Sequence, residues 1–126
     1  MGKSFKELIV WQRAIELTIA IYKLTSQFPD AERFGLTNQM RRAAVSIASN
    51  IAEGYGKSSK GEYLLFLGHS HGSCAELETQ LVIAKELNFG SRTEMSGAAS
   101  LNDEVGKMLV ALMKSVHRAK PLSPNA

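Results

Sequence analysis

Apolar positions recur at helical spacing along nearly the whole chain, and the clearest run is Leu36 to Gly54. Leu36, Met40, Ala43, Ala44, Ile47 and Ile51 fall on one face of a helix there. Val45, Ala48 and Ala52 make a second, narrower strip well round the cylinder, with Arg41 in its midst. Arg42, Ser46, Ser49, Asn50 and Glu53 are left for the polar face. A helix with two apolar faces has two neighbours to satisfy, and small residues let backbones come close.

The flanking segments repeat that arrangement. Ser4 and Glu7 stand at capping-box spacing and open a first helix over 5–28, which Pro29 stops. It carries one stripe of Leu8, Trp11, Ile15, Thr18, Tyr22 and Thr25. A second stripe, Val10, Ala14, Leu17, Ile21, Leu24 and Phe28, keeps heptad spacing. One broad core face accounts for the pair as well as a core stripe beside a subunit contact does. A turn over 29–35 follows, with Phe34 expected to fold down as a plug.

Thr37 is the expected cap of a second helix over 37–53, and Gly54 suits a left-handed C-terminal position. Ser59 with Glu62 opens a third helix over 60–88. Tyr63, Phe66, Leu67, Ser70, Cys74, Leu77, Leu81 and Ala84 line one of its faces; Leu65, Gly72, Glu76, Thr79 and Ile83 mark a mixed second strip. Gly68 and Gly72 each cost about 1 kcal/mol inside a helix, which predicts the close approach of a neighbour. Ser91 with Glu94 opens a fourth helix over 92–119, with Met95, Ala98, Leu101, Val105, Met108, Leu112 and Val116 at coiled-coil spacing. Residues 121–126 read as a tail.

No strand pattern occurs. Short connections between helices predict a single all-α domain, an antiparallel up-down-up-down four-helix bundle. The first, third and fourth helices should span roughly 35–45 Å, with the second the shortest.

Composition changes this picture little. At 126 residues, 44% hydrophobic and 21% charged, the chain is the size and balance of one globular domain. The single Cys74 cannot form an internal disulfide, which suits a reducing cytoplasm. No apolar run reaches the roughly eighteen residues of a membrane span, and no signal-peptide core is seen.

Catalytic and metal chemistry find no footing. His69 and His71 are two apart, so on a helix they point about 160–200° away from each other, whereas a zinc pair needs neighbours three or four apart. His69 shares a face with Glu62 and Glu76, which predicts a hydrogen bond. Glu76 and Glu78 are split between faces in the same way. Cys74 lies on the apolar face as an inert thiol. Gly54-Tyr55-Gly56-Lys57-Ser58 lacks the strand and spacing of a phosphate loop. The expectation is a protein with no enzymatic activity, no cofactor and no metal.

Charge matters once the topology is drawn. The net charge of +3 is small. In an up-down bundle, however, the start of the first helix, the second loop and the end of the fourth helix gather at one end. Lys3, Lys6, Lys57, Lys60, Lys114, Arg118 and Lys120 outnumber Glu7, Glu53 and Glu62 there. Those residues are the candidates for RNA or DNA contact, a solvated basic end being the plain alternative. Candidates for contact between copies of the chain are Leu17, Ile21, Leu24, Arg41, Val45, Ala48, Ala52, Leu65 and Ile83. A buried Arg41 needs acceptors, and Glu53, Asn50 and Glu76 qualify.

The residues Phe5 to Leu8 with Trp11-Gln12, Phe28-Pro29, Gly35-Leu36-Thr37 and the pattern RRAxxSIxxNIAEG at Arg41 to Gly54 carry a family resemblance. Ala75 to Leu81 extends it along the third helix. In these positions the chain closely resembles the four-helix-bundle proteins encoded within intervening sequences of bacterial large-subunit ribosomal RNA genes. The resemblance covers about residues 5–118. It implies a left-handed bundle, a ring-shaped homopentamer and no established catalysis. A related branch, the accessory proteins of diversity-generating retroelements, binds nucleic acid through a basic barrel. This chain departs from the family pattern at Ala48 or Ser49, where proline is frequent, and near Lys57, where arginine is. Two functions compete: an oligomer whose basic end meets RNA or DNA, and a protein–protein adaptor that touches no nucleic acid.

Overall fold

Serine caps set where the later helices begin. In the computed structural model, which describes residues 3–119, Ser59 Oγ accepts from the Glu62 amide at 3.1 Å and Ser91 Oγ from the Glu94 amide at 3.0 Å. They open α3 (Lys60–Glu86) and α4 (Arg92–Arg118). Asn88 (φ 60°) and Gly90 (φ 74°) take left-handed backbone in the turn between them.

The first capping box also forms, yet it closes only a 3-10 turn, Phe5–Glu7. Leu8 is extended (φ −72°, ψ 125°), so α1 starts afresh at Ile9 and runs Ile9–Thr25. Phe5 packs edge-on to Trp11 at 5.3 Å, and Gln12 Nε2 donates to the Lys6 carbonyl at 2.8 Å. Those two contacts fold the turn back on the helix. At 17 residues, or ~25 Å, α1 is therefore the shortest helix, not α2.

The central helix, α2 (Leu36–Tyr55), corrects three expectations. Its first free amide, Leu36, is satisfied by Glu32 Oε1 at 3.1 Å; Thr37 lies inside the helix, buried. Gly54 is helical and does not end α2. A Cβ there would sit 2.9 Å from Phe66 Cβ, so the glycine marks a close α2–α3 crossing. Phe34 is 86% exposed, with the Arg33 guanidinium over its ring, and plugs nothing.

Side-chain bonds between helices fix their order and sense. Thr18 Oγ1 reaches the Ala44 carbonyl (3.3 Å) and Arg41 Nε reaches Thr25 Oγ1 (2.9 Å), so α1 and α2 run antiparallel. Ser70 Oγ donates to the Ile47 carbonyl and Ser46 meets Ser73, which does the same for α2 and α3. Asn102 Nδ2 donates to the Cys74 carbonyl, while Lys60 Nζ donates to the Ala119 carbonyl. Gln27 Nε2 to Glu94 Oε1 (2.7 Å) and Arg13 Nε to Glu104 Oε2 (3.3 Å) close α1 against α4. The result is a four-helix bundle, and no strand occurs among the described residues.

Leu17, Ile21, Leu24, Met40, Ile47, Ile51, Leu67, Leu77, Val105 and Leu109 form its fully buried centre. Burying one such side chain contributes about 1.5–3 kcal/mol. Leu17, Ile21 and Leu24, expected at a subunit contact, thus belong to the protomer's own core. The heptad stripe of α1 points between α2 and α4, and those helices consume it. Ala48 is buried in the same core.

Candidate functional site

The basic end is assembled by three capping or folding-back devices rather than by one helix. The 3-10 turn brings in Lys3 and Lys6, the Ser59 cap brings in Lys57 and Lys60, and the last turn of α4 brings in Lys114 and Arg118. Lys60 joins two of these segments through its bond to the Ala119 carbonyl, at 2.9 Å. Lys57 Nζ stands 3.8 Å from Glu53 and 5.1 Å from the centre of the Phe66 ring. These two lysines are half-buried and engaged. Lys3, Lys6, Lys114 and Arg118 are exposed, and none forms an ion pair among the described residues. Lys120 lies outside the described residues.

The acids at this end are occupied elsewhere. Glu7 accepts from the Ser4 amide and Glu62 from the Ser59 hydroxyl, and neither forms an ion pair among the described residues. Between α3 and α4 at the same end, Leu64, Val110 and Met113 floor a shallow groove of about 400 Å³. Lys114, His117 and Arg118 rim it. Its floor is aliphatic and its rim is basic.

A larger groove, about 530 Å³, runs along α3 and α4 over Cys74, Leu81, Met95 and Asn102. Burial pushes the Cys74 thiol up to about 12, so it stays protonated and is no nucleophile at neutral pH. Burial, with Tyr55 beside it, also raises the Tyr63 phenol. His69 stacks edge-on against Phe66 at 5.6 Å and donates no hydrogen bond to Glu62 or Glu76, because the ring turns along its own helix. Among the described residues no group of three histidine, cysteine or acidic side chains is arranged to hold a metal. No helix among them is long and apolar enough to cross a membrane.

Two side faces remain uncovered. Ile15, Ile19 and Tyr22 of α1 adjoin Val45 of α2, each 37–51% exposed, beside half-buried Ala52 and Arg41. On the outer side of α3, Leu65 and Ile83 are 55% and 44% exposed. Gly68 and Gly72 share that strip, and nothing stands within 4 Å of where their Cβ atoms would be. No neighbour within the protomer approaches them. Within the protomer Arg41 meets none of its candidate acceptors: Nε donates to Thr25 Oγ1, and the guanidinium lies 4.5 Å over the Tyr22 ring.

Sequence reasoning missed Ile19 and Asn102, which fall outside both stripes and the heptad of α4. Asn102 is buried, with its Oδ1 unpartnered, as is Gln80 Oε1. No spacing signal marks either amide.

A protein-family model, described as 23S rRNA-intervening sequence protein, matches residues 6–111, most of the chain. The chain belongs to this family. Among solved structures, the family member is similar to a protein of unknown function from the S23 ribosomal protein family of Bacteroides thetaiotaomicron. The two share 20% identity and superpose with a TM-score of 0.77, over 84% of this chain and 96% of that one. At that identity the likeness establishes the fold. No curated protein matches the chain.

Proposed function

We propose that this family member is a non-enzymatic homo-oligomer, pentameric as the family resemblance implies, whose aligned basic ends bind RNA or DNA in the cytoplasm. The observation that carries the reading is the pair of uncovered apolar faces on opposite flanks of one bundle. Val45 and Ile19 on one side and Leu65 and Ile83 on the other stay wet in a lone protomer. Faces that differ make a heterologous contact, which forms a ring where the rotation between copies closes. Copies set side by side in one orientation bring every Lys6, Lys114 and Arg118 to the same rim. A polyanion gains from such a rim through counterion release.

Binding of mixed-sequence RNA and DNA at a series of salt concentrations tests the proposal. Affinity should fall steeply, with a log–log slope near 0.7–0.9 per phosphate contacted. Reversing charge at Lys114 and Arg118 should abolish binding while sedimentation still reports the oligomer. Affinity that ignores both salt and charge reversal overturns nucleic-acid binding and favours a protein partner.

A further inference from the structure

The two uncovered faces carry unpaired charge of opposite sign: Arg41 with Arg42 beside Tyr22 and Val45 on one, Glu76 and Glu86 along α3 on the other. On the α1/α2 face the Arg41 guanidinium is fixed from inside by Thr25 Oγ1 (2.9 Å) and by the Tyr22 carbonyl (3.5 Å). These bonds use Nε and Nη2; Nη1 makes none, and no carboxylate pairs with Arg41 among the described residues. On α3, Glu76 sits between Gly72 and Ile83, exposed, with no ion pair within the protomer. A guanidinium held in place with Nη1 free is a ready receptor for a carboxylate.

Height along the bundle matches as well. Ser46 of α2 meets Ser73 of α3 at 3.0 Å, and Gly54 lies against Phe66. Counting along antiparallel helices from those points, Arg41 is level with Glu78. Glu76 is then only ~3 Å away along the axis. On the same count Val45 and Ala48 stand level with Gly72, and Ala52 with Gly68. A bare backbone stretch on α3 therefore lies at the height of the apolar side chains on α1 and α2. Rotation about an axis parallel to the helices preserves height, so these are the residues that copies in such a ring bring together.

We infer that the α1/α2 face of one copy seats on the outer face of α3 of the next, and that Arg41 pairs across this contact with Glu76 of that copy. The inference rests on the homo-oligomeric reading and assigns its faces and register. It also accounts for two glycines that nothing inside the protomer requires: without Cβ atoms, Gly68 and Gly72 admit Val45 and Ile19 of the neighbour. An ion pair among apolar residues sets register and rejects misaligned contacts more than it adds affinity.

The decisive experiment is sedimentation velocity with native mass measurement on the full chain, comparing wild type, Glu76→Arg, Arg41→Glu and the double exchange. Wild type should be oligomeric. Each single reversal should raise the concentration for half-assembly by about tenfold or more, and the double exchange should recover most of that loss. Circular dichroism checks that each variant is folded. Because Arg41→Glu also removes the Thr25 bond, a second variant bears on the faces independently. Oxidised Val45→Cys/Gly72→Cys should give a ladder of covalent multimers, whereas either cysteine alone should give at most dimers. A monomeric wild type overturns the homo-oligomeric reading. An oligomeric wild type that tolerates Glu76→Arg, fails to recover in the double exchange, or gives no ladder overturns the assigned contact and leaves that reading standing.

Discussion

Both stripes of α1 carry large apolar side chains, and the fold treats them differently. Leu17, Ile21 and Leu24 are fully buried, while Ile15, Ile19 and Tyr22 on the adjacent face are 37–51% exposed. The difference comes from neighbours. With α2 on one side and α4 on the other, one stripe faces the axis and the other faces out beside Val45. Amphipathic spacing reports how much greasy circumference a helix has, not which element covers each part. The part left over is where an assembly interface belongs.

Truncating one residue of the buried stripe and one of the exposed face beside it tests this most strongly. Leu17→Ala should cost about 2–5 kcal/mol of protomer stability, since it opens a cavity among side chains with no exposure. Ile19→Ala should leave protomer stability within about 0.5 kcal/mol and weaken assembly instead. Urea unfolding below the assembly concentration, paired with sedimentation above it, reads both. Comparable stability losses would mean that the outer stripe is also core.

The glycines of α2 and α3 repeat the comparison at smaller scale. Gly54→Ala forces a Cβ to within 2.9 Å of Phe66 Cβ, and should cost about 1–3 kcal/mol as the helices move apart. Gly72→Ala meets nothing within 4 Å in the protomer and should raise its stability by up to about 1 kcal/mol. If a neighbour covers α3, that same alanine should lower the assembly constant. Thermal melts of the dispersed protein separate the two signs.

Much of the bundle was legible because its signals are local. Ser59 with Glu62 and Ser91 with Glu94 state the starts of α3 and α4 in four residues each, and heptads state the core faces. What escaped depends on contacts remote in sequence. The Ser4–Glu7 box reads the same whether it opens an α-helix or closes a 3-10 turn, and only Trp11 packing on Phe5 decides. Gly54 looks like a terminator until Phe66 stands against it. At the basic end, topology alone gathered Lys6, Lys114 and Arg118. Glu53 stands four residues before Lys57, a pairing that spacing alone offers, whereas nothing local sets Lys60 against the Ala119 carbonyl.

The smallest expected effect probes the inner side of α3 against the outer side of α2. Cys74 is buried, and its thiol is pushed up from 9.0 to about 12 by desolvation. A thiol reagent at pH 8 should therefore spare Cys74 in the folded protein, modify it in urea, and modify Val45→Cys in the dispersed protein at the rate of an open thiol. The pH dependence has a definite sign. The folded state holds this proton more tightly than the unfolded chain, so its contribution to stability is complete below about pH 9. It is lost progressively as pH rises from there toward 12. Comparing alkaline unfolding of wild type with Cys74→Ala isolates that loss, because the alanine variant has no such proton to release. Equal alkaline slopes, or ready modification of folded Cys74 at pH 8, would place this face of α3 in contact with water and erase the distinction between its inner and outer sides.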